Sequence, residues 1–306
     1  MDIESIEVPS KARPVLSYWV VAFLDLLGYE SALARMDVFP FPEDPVAYGK
    51  VVAAFARAVK LRRRLFGLVN EFLSEKAPPV DLSHLSIDVQ KAAEKWRKVE
   101  VLNVPGADHW VVGCSLAPSD THSPMRAVLE LVSAASAAMI IQLAQGADDP
   151  DDTLPLRGGI DIALGELVQP ENFLYSPALT RAYKLERDRA LYARSIIGER
   201  FVGFIKSAAN DEEPGVEANY NRELAKAVMR FLFRDKDGLV ALDFMGPGLH
   251  NGLDEEFATE IATNAWSFAN AAHSRWRENG RFDIAAKYDW LLDYMRPRLS
   301  DWGVKA

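Results

Sequence analysis

The stretch LSYWVVAFLDLLG, residues 16–28, decides how the chain is read. Aromatic and β-branched residues fill it, as they fill a buried strand. It then breaks into an acid, Asp25, and closes on Gly28, which permits a tight exit. A carboxylate in apolar surroundings is costly unless a cation or hydrogen bonds compensate it. The ordinary alternative for such an acid is to cap the helix that follows. The backbone N–H groups of Leu27, Gly28 and Tyr29 lie at a turn into a helix, a natural place for phosphate oxygens.

Working outward, apolar residues from Val46 to Leu73 recur at helical spacing between Pro45 and Lys76. That helix carries the basic stretch Arg57, Lys60, Arg62, Arg63 and Arg64, which faces a phosphate tail or balances an acidic surface. Residues 98–104 and 109–116 predict a hairpin turning around Pro105-Gly106-Ala107-Asp108. Taken alone, Asp108 is a turn residue. If strand 16–28 neighbours this hairpin, however, both carboxylates reach one rim, and two carboxylates with phosphate oxygens suit magnesium. His109, next in a strand, points to the opposite face from Asp108.

Residues 124–145 predict a helix apolar on nearly all sides, buried or at an interface. An acidic loop at 147–153 leads into LPLRGGIDIALGELV, a strand whose Gly158-Gly159 pair lets another backbone come close. A helix starts at Pro177, a good first-turn residue, and ARSIIGERF reads as a further strand. The order predicts an α+β sandwich, helices against a mostly antiparallel sheet, over residues 1–205. Residues 206–306 predict a mainly helical C-terminal extension packed on it. Its helices fall at 217–233, 254–277 and 281–296, with a hairpin around Lys236-Asp237-Gly238. The terminal cluster Lys287, Tyr288, Trp290, Leu291 and Tyr294 reads as packing.

The 306 residues include 44 acidic against 35 basic ones, a net charge of −9, which argues against broad nucleic-acid binding. One cysteine, Cys114, excludes an intramolecular disulfide framework and any multi-cysteine zinc site. The first residues hold no apolar core of signal length, and the apolar run Ala127 to Ala144 contains Glu130. The expectation is a cytoplasmic protein with no membrane partner.

FLDLLGY at 23–29 resembles the F-x-D-x-x-G-F opening of class III adenylate and guanylate cyclases. It is still more similar to the pyrimidine cyclases of bacterial Pycsar antiphage systems, which make cyclic CMP or cyclic UMP. GAD at 106–108 resembles the family's hairpin Gly-Asp, with Ala107 between the two. LRGGIDIALGEL resembles its later G-I-x-x-G strand. SPALTRAYKLE at 176–186 resembles the helix G-x-x-V-N-x-A-A-R-L-E, with Ser176, Thr180 and Lys184 in place of glycine, asparagine and arginine. The likeness covers roughly residues 17–200.

The resemblance implies a cyclase-like sandwich in which Asp25 and Asp108 hold two magnesium or manganese ions. The ribose 3′-hydroxyl would attack the α-phosphate and release pyrophosphate. Lys184 would stabilise the transferring phosphoryl, with Arg181, one position from that face, as competitor and Thr180 beside them. Leu27, Gly28 and Tyr29 would meet phosphate, Arg157 would reach phosphate or a carboxylate across a subunit boundary or else serve as a structural ion-pair residue, and Tyr175 would stack on the base. Purine cyclases carry lysine and aspartate where this chain has Val104 and Phe173, neither of which can read adenine. The implied substrate is a pyrimidine nucleoside triphosphate, UTP ahead of CTP. The family also implies a head-to-tail homodimer with composite sites and a separate effector protein that senses the product in antiphage defence. The rivals are a catalytically silent nucleotide-binding regulatory dimer of the same fold and a purine cyclase.

Overall fold

The computed structural model describes residues 16–28, 44–53, 82–96, 101–106, 109–119, 122–150, 153–168 and 173–305, with positions 56, 59, 60, 63 and 99. Residues 45–53 are helical, as the apolar spacing there predicts. The strands are β1 (Ser17–Leu26), β2 (Val101–Pro105), β3 (His109–Ser115), β4 (Leu156–Val168), β5 (Phe173–Tyr175), β6 (Ser195–Ile197), β7 (Leu232–Arg234) and β8 (Val240–Leu242). The helices are α1 (Ile87–Lys95), α2 (Pro124–Ala144), α3 (Pro177–Arg189), α4 (Glu199–Ala209), α5 (Val216–Met229), α6 (Pro247–His250), α7 (Glu255–Glu278) and α8 (Phe282–Met295). The sheet runs β2-β3-β1-β4-β6-β8-β7, with β5 on the far end of β4. β4 and β6 pair in parallel, and the other described pairings are antiparallel. The chain is thus an α+β protein.

β1 is the central strand, and its apolar run is explained by cover on both sides. Val20, Ala22, Leu24 and Leu26 enter the large core against α2, while Trp19, Val21 and Phe23 enter a smaller cluster with Ala178 and Ala182 of α3. Burial at about 25 cal/mol per Å² of apolar surface on each face anchors this strand. Alternation then puts Asp25 on the α3 side, beyond Phe23, at the end of the strand.

α2 is apolar all round because it is enclosed within the chain. It packs against α5 and α7 on one side and against β3 and β1 on the other. It is long and apolar enough to cross a membrane, yet nearly all of it is buried inside the protein. Ser123 starts it by accepting the Arg126 N–H at 3.3 Å, and Glu130 is neutralised one turn on by Arg126 at 2.7 Å.

The predicted hairpin, the strand at Gly158-Gly159 and the helix at Pro177 are all present. ARSIIGERF, expected as one strand, is split. Ser195–Ile197 is a short strand, and α4 begins at Glu199. Gly198 turns the chain there because a side chain at that position would overlap the Asp161 carboxylate. Residues 206–306 supply α5 to α8, and their hairpin β7–β8 continues the sheet through β6. The core cluster holding Val20 and Leu24 also holds Phe268, Tyr288, Leu291 and Trp302, so the terminal aromatic cluster is packing, as its pattern predicts.

Candidate functional site

The β1–β4 ladder sets Asp25 opposite Arg157, and the β1–β3 ladder sets Asp25 opposite His109. All three occupy the α3 side of the sheet at one rim. Arg157 Nε and Nη2 donate to the same Asp25 carboxylate oxygen at 3.1 and 3.0 Å. Glu186, from the last turns of α3, brings a second carboxylate 2.7 Å from Arg157 Nε. The arginine is therefore shared between two acids. His109 stacks on Phe23, ring centroids 4.9 Å apart, and Gly106 lies against its imidazole, which a side chain there would displace.

Backbone geometry brings α3 this close. A Cβ at Gly159 would overlap the Ala182 carbonyl oxygen and stand 2.8 Å from Leu185 Cβ. A Cβ at Gly158 would lie 2.5 Å from the Phe23 carbonyl oxygen on β1. Gly159 lets the helix lie directly on β4, so Glu186 reaches Arg157, while Gly158, on the other face, lets β1 and Ser195 come close.

Other proposed site residues fall elsewhere. Arg181 faces inward, with Nε 3.5 Å from Asp161 and donating to the Pro177 carbonyl at 3.3 Å. Asp161 is held above the usual carboxylate range by burial. The Ile162 N–H, Arg181, the Phe201 N–H and Arg200 pull it partly back. It sits at the start of α4 and satisfies that helix end. Thr180 and Lys184 lie on the exposed side of α3. Tyr175 is exposed on β5, edge-to-face with Phe173 at 4.8 Å. The register pairs Tyr175 with Glu166, nine positions along β4 from Arg157, so about 30 Å of strand separates it from Asp25. Leu27 is buried, its N–H bonded to the Pro155 carbonyl at 2.8 Å, which withdraws that donor from any phosphate. Gly28 is exposed at φ +94°, the left-handed turn expected after the strand. Asp108 and Tyr29 lie outside the described residues, as do Arg57, Arg62 and Arg64; Lys60 pairs with Asp149.

Glu186 and His109 enter this rim without having been selected from sequence. The signal for Glu186 was the closing glutamate of the helix pattern SPALTRAYKLE. Alternation sets His109 on the opposite face from Asp108, whereas its relation to Asp25 follows from strand pairing.

Among the described residues no group of three or more histidine, cysteine, aspartate or glutamate side chains is placed to hold a metal. Of the two acids Asp25 is the more exposed, and it could hold a hard divalent cation only with further oxygen ligands such as phosphate and water. No family model matches the chain, and no curated protein or solved structure matches it either.

Proposed function

We propose that the chain is a pyrimidine nucleotide cyclase, acting on UTP or CTP, with Asp25 as a metal-holding acid and Asp108 as its expected companion. The supporting observation is the rim itself: a part-buried aspartate at the end of an apolar central strand, opposite an arginine. Asp25 would hold a magnesium or manganese ion, and the ion would supply Lewis acidity toward the attacking hydroxyl and the leaving pyrophosphate. Arg157 would offer its planar fork of donors to phosphate oxygens.

A head-to-tail homodimer belongs to this reading. Thr180, Lys184 and Tyr175 are exposed on their own chain, where a second copy would bring them to its rim. Leu16, Tyr18, Leu164, Phe173 and Tyr175 are exposed together. By strand alternation, Tyr18, Leu164, Phe173 and Tyr175 share the side of the sheet opposite α3. Apolar groups gathered in this way favour a partner surface. The product would pass to a separate effector protein in antiphage defence. One observation favours a silent nucleotide-binding dimer instead: Thr180 and Lys184 replace the asparagine and arginine of the family helix.

The test is incubation of the purified protein with each of the four ribonucleoside triphosphates and manganese, followed by chromatography. Cyclic UMP or cyclic CMP is the expected product. Cyclic AMP or GMP would establish the purine enzyme, and no cyclic product from any substrate would leave the silent dimer.

A further inference from the structure

Arg157 stands between two acids of unequal exposure. The Asp25 side chain is 14% exposed at the strand end, whereas that of Glu186, under α3, is 3% exposed. Both acids meet Arg157 at Nε, which donates to Asp25 at 3.1 Å and stands 2.7 Å from Glu186 Oε1 as an ion pair. Of the two carboxylates, Asp25 is the one an incoming cation can reach. Glu186 is enclosed by the helix that Gly159 draws onto the sheet. If Asp25 turned to a cation with no second acid present, a part-buried guanidinium would be left uncompensated. That penalty would count against the cation.

We propose that Glu186 is a positioning residue that keeps Arg157 at the rim when Asp25 exchanges that arginine for a divalent cation. This rests on the reading of Asp25 as a metal acid. Cation affinity at Asp25 then depends on Glu186 through Arg157, and not merely through the added negative charge. The two routes differ in a double-mutant cycle. An effect that acts through Arg157 disappears once Arg157 is replaced; a simple field effect persists.

The experiment titrates manganese into nucleotide-free full-length protein and follows free Mn²⁺ by electron paramagnetic resonance. It compares the wild type with Asp25→Ala, Glu186→Gln, Glu186→Asp, Arg157→Met and the double variant Glu186→Gln/Arg157→Met. Glu186→Gln should weaken binding about ten-fold, the scale typical of residues that orient a metal ligand. Glu186→Asp, which keeps the charge on a shorter stem, should fall between and serves if the glutamine variant does not fold. In the Arg157→Met background the Glu186→Gln change should nearly vanish. Where turnover is measured, the half-saturating manganese concentration should rise in Glu186→Gln. Equal weakening in both backgrounds, or wild-type binding by both Glu186 variants, overturns the proposal and leaves the metal acid intact. Wild-type binding by Asp25→Ala removes the metal acid itself and the proposal with it.

Discussion

Asp25 and Arg157 face each other across the β1–β4 ladder, joined by two hydrogen bonds to a single carboxylate oxygen. Replacing Asp25 with alanine leaves Arg157 still paired with Glu186. The stability cost should therefore be about 1 kcal/mol, below the 3–5 kcal/mol typical of an orphaned buried charge. Cyclic-nucleotide formation should nevertheless fall on the order of 100-fold or more, the scale seen when a preorganised electrostatic group is removed. Thermal unfolding and product chromatography on the same preparation check both halves. Full activity in Asp25→Ala would dismiss it as a metal acid.

Gly159 is the contact through which α3 reaches that rim. Gly159→Ala would force a methyl group into the Ala182 carbonyl. Overpacking of this kind costs about 1–3 kcal/mol, and the obstacle here is backbone, which yields least. The helix should lift, drawing Glu186 from Arg157. Chemical denaturation should show the loss, and nucleotide-free manganese binding should weaken in parallel. Wild-type behaviour in both would mean that α3 has room to spare.

Most of this architecture was legible because strong local signals agreed with the tertiary outcome. The run 16–28 is a strand since both of its faces are covered. α2 is apolar all round since helices and sheet enclose it, and Pro177 starts α3. The split of ARSIIGERF was not legible, because the helix start depends on Gly198 meeting Asp161, a residue 37 positions earlier. The rim was half legible for the same reason. Asp25 announces itself by interrupting an apolar strand. Its company of Arg157, Glu186 and His109 is created by register and by one close helix–sheet contact, and neither can be read from local pattern.

Asp161 gives a pH dependence whose sign is fixed. Burial, opposed by nearby N–H groups and arginines, holds its folded pKa above the ordinary 3.8. Folding thus favours its protonated form. That contribution to stability is fully present below 3.8 and is lost as pH rises through the higher folded value. Asp161→Asn has no charge to desolvate. Its melting temperature relative to wild type should become more favourable from pH 4 to pH 7, on top of a constant offset from altered hydrogen bonds. A difference that does not vary across this range would contradict the raised pKa.

The C-terminal segment is fastened at Met245. Its N–H donates to the Tyr294 hydroxyl at 2.8 Å, and its carbonyl accepts from Trp302 Nε1 at 2.9 Å. The Tyr294 hydroxyl donates in turn to Asp243 at 2.8 Å, and Arg298 reaches the same carboxylate oxygen while lying 4.0 Å over the tyrosine ring. Tyr294→Phe keeps the stacking but strands the Met245 N–H, at about 1–3 kcal/mol. Trp302→Ala empties a fully buried site, at about 3–5 kcal/mol. Both act on the backbone of one residue just after β8, so the double variant should lose less than the sum, with a coupling of about 0.5–3 kcal/mol. β8 is separated from β1 by β6 and β4, so activity per folded molecule should be unchanged. Urea unfolding of the two single variants and the double variant, with activity normalised to the folded fraction, measures both. Strict additivity would mean that the two bonds do not share Met245 as a common anchor, and a drop in normalised activity would mean that this fastening reaches the rim.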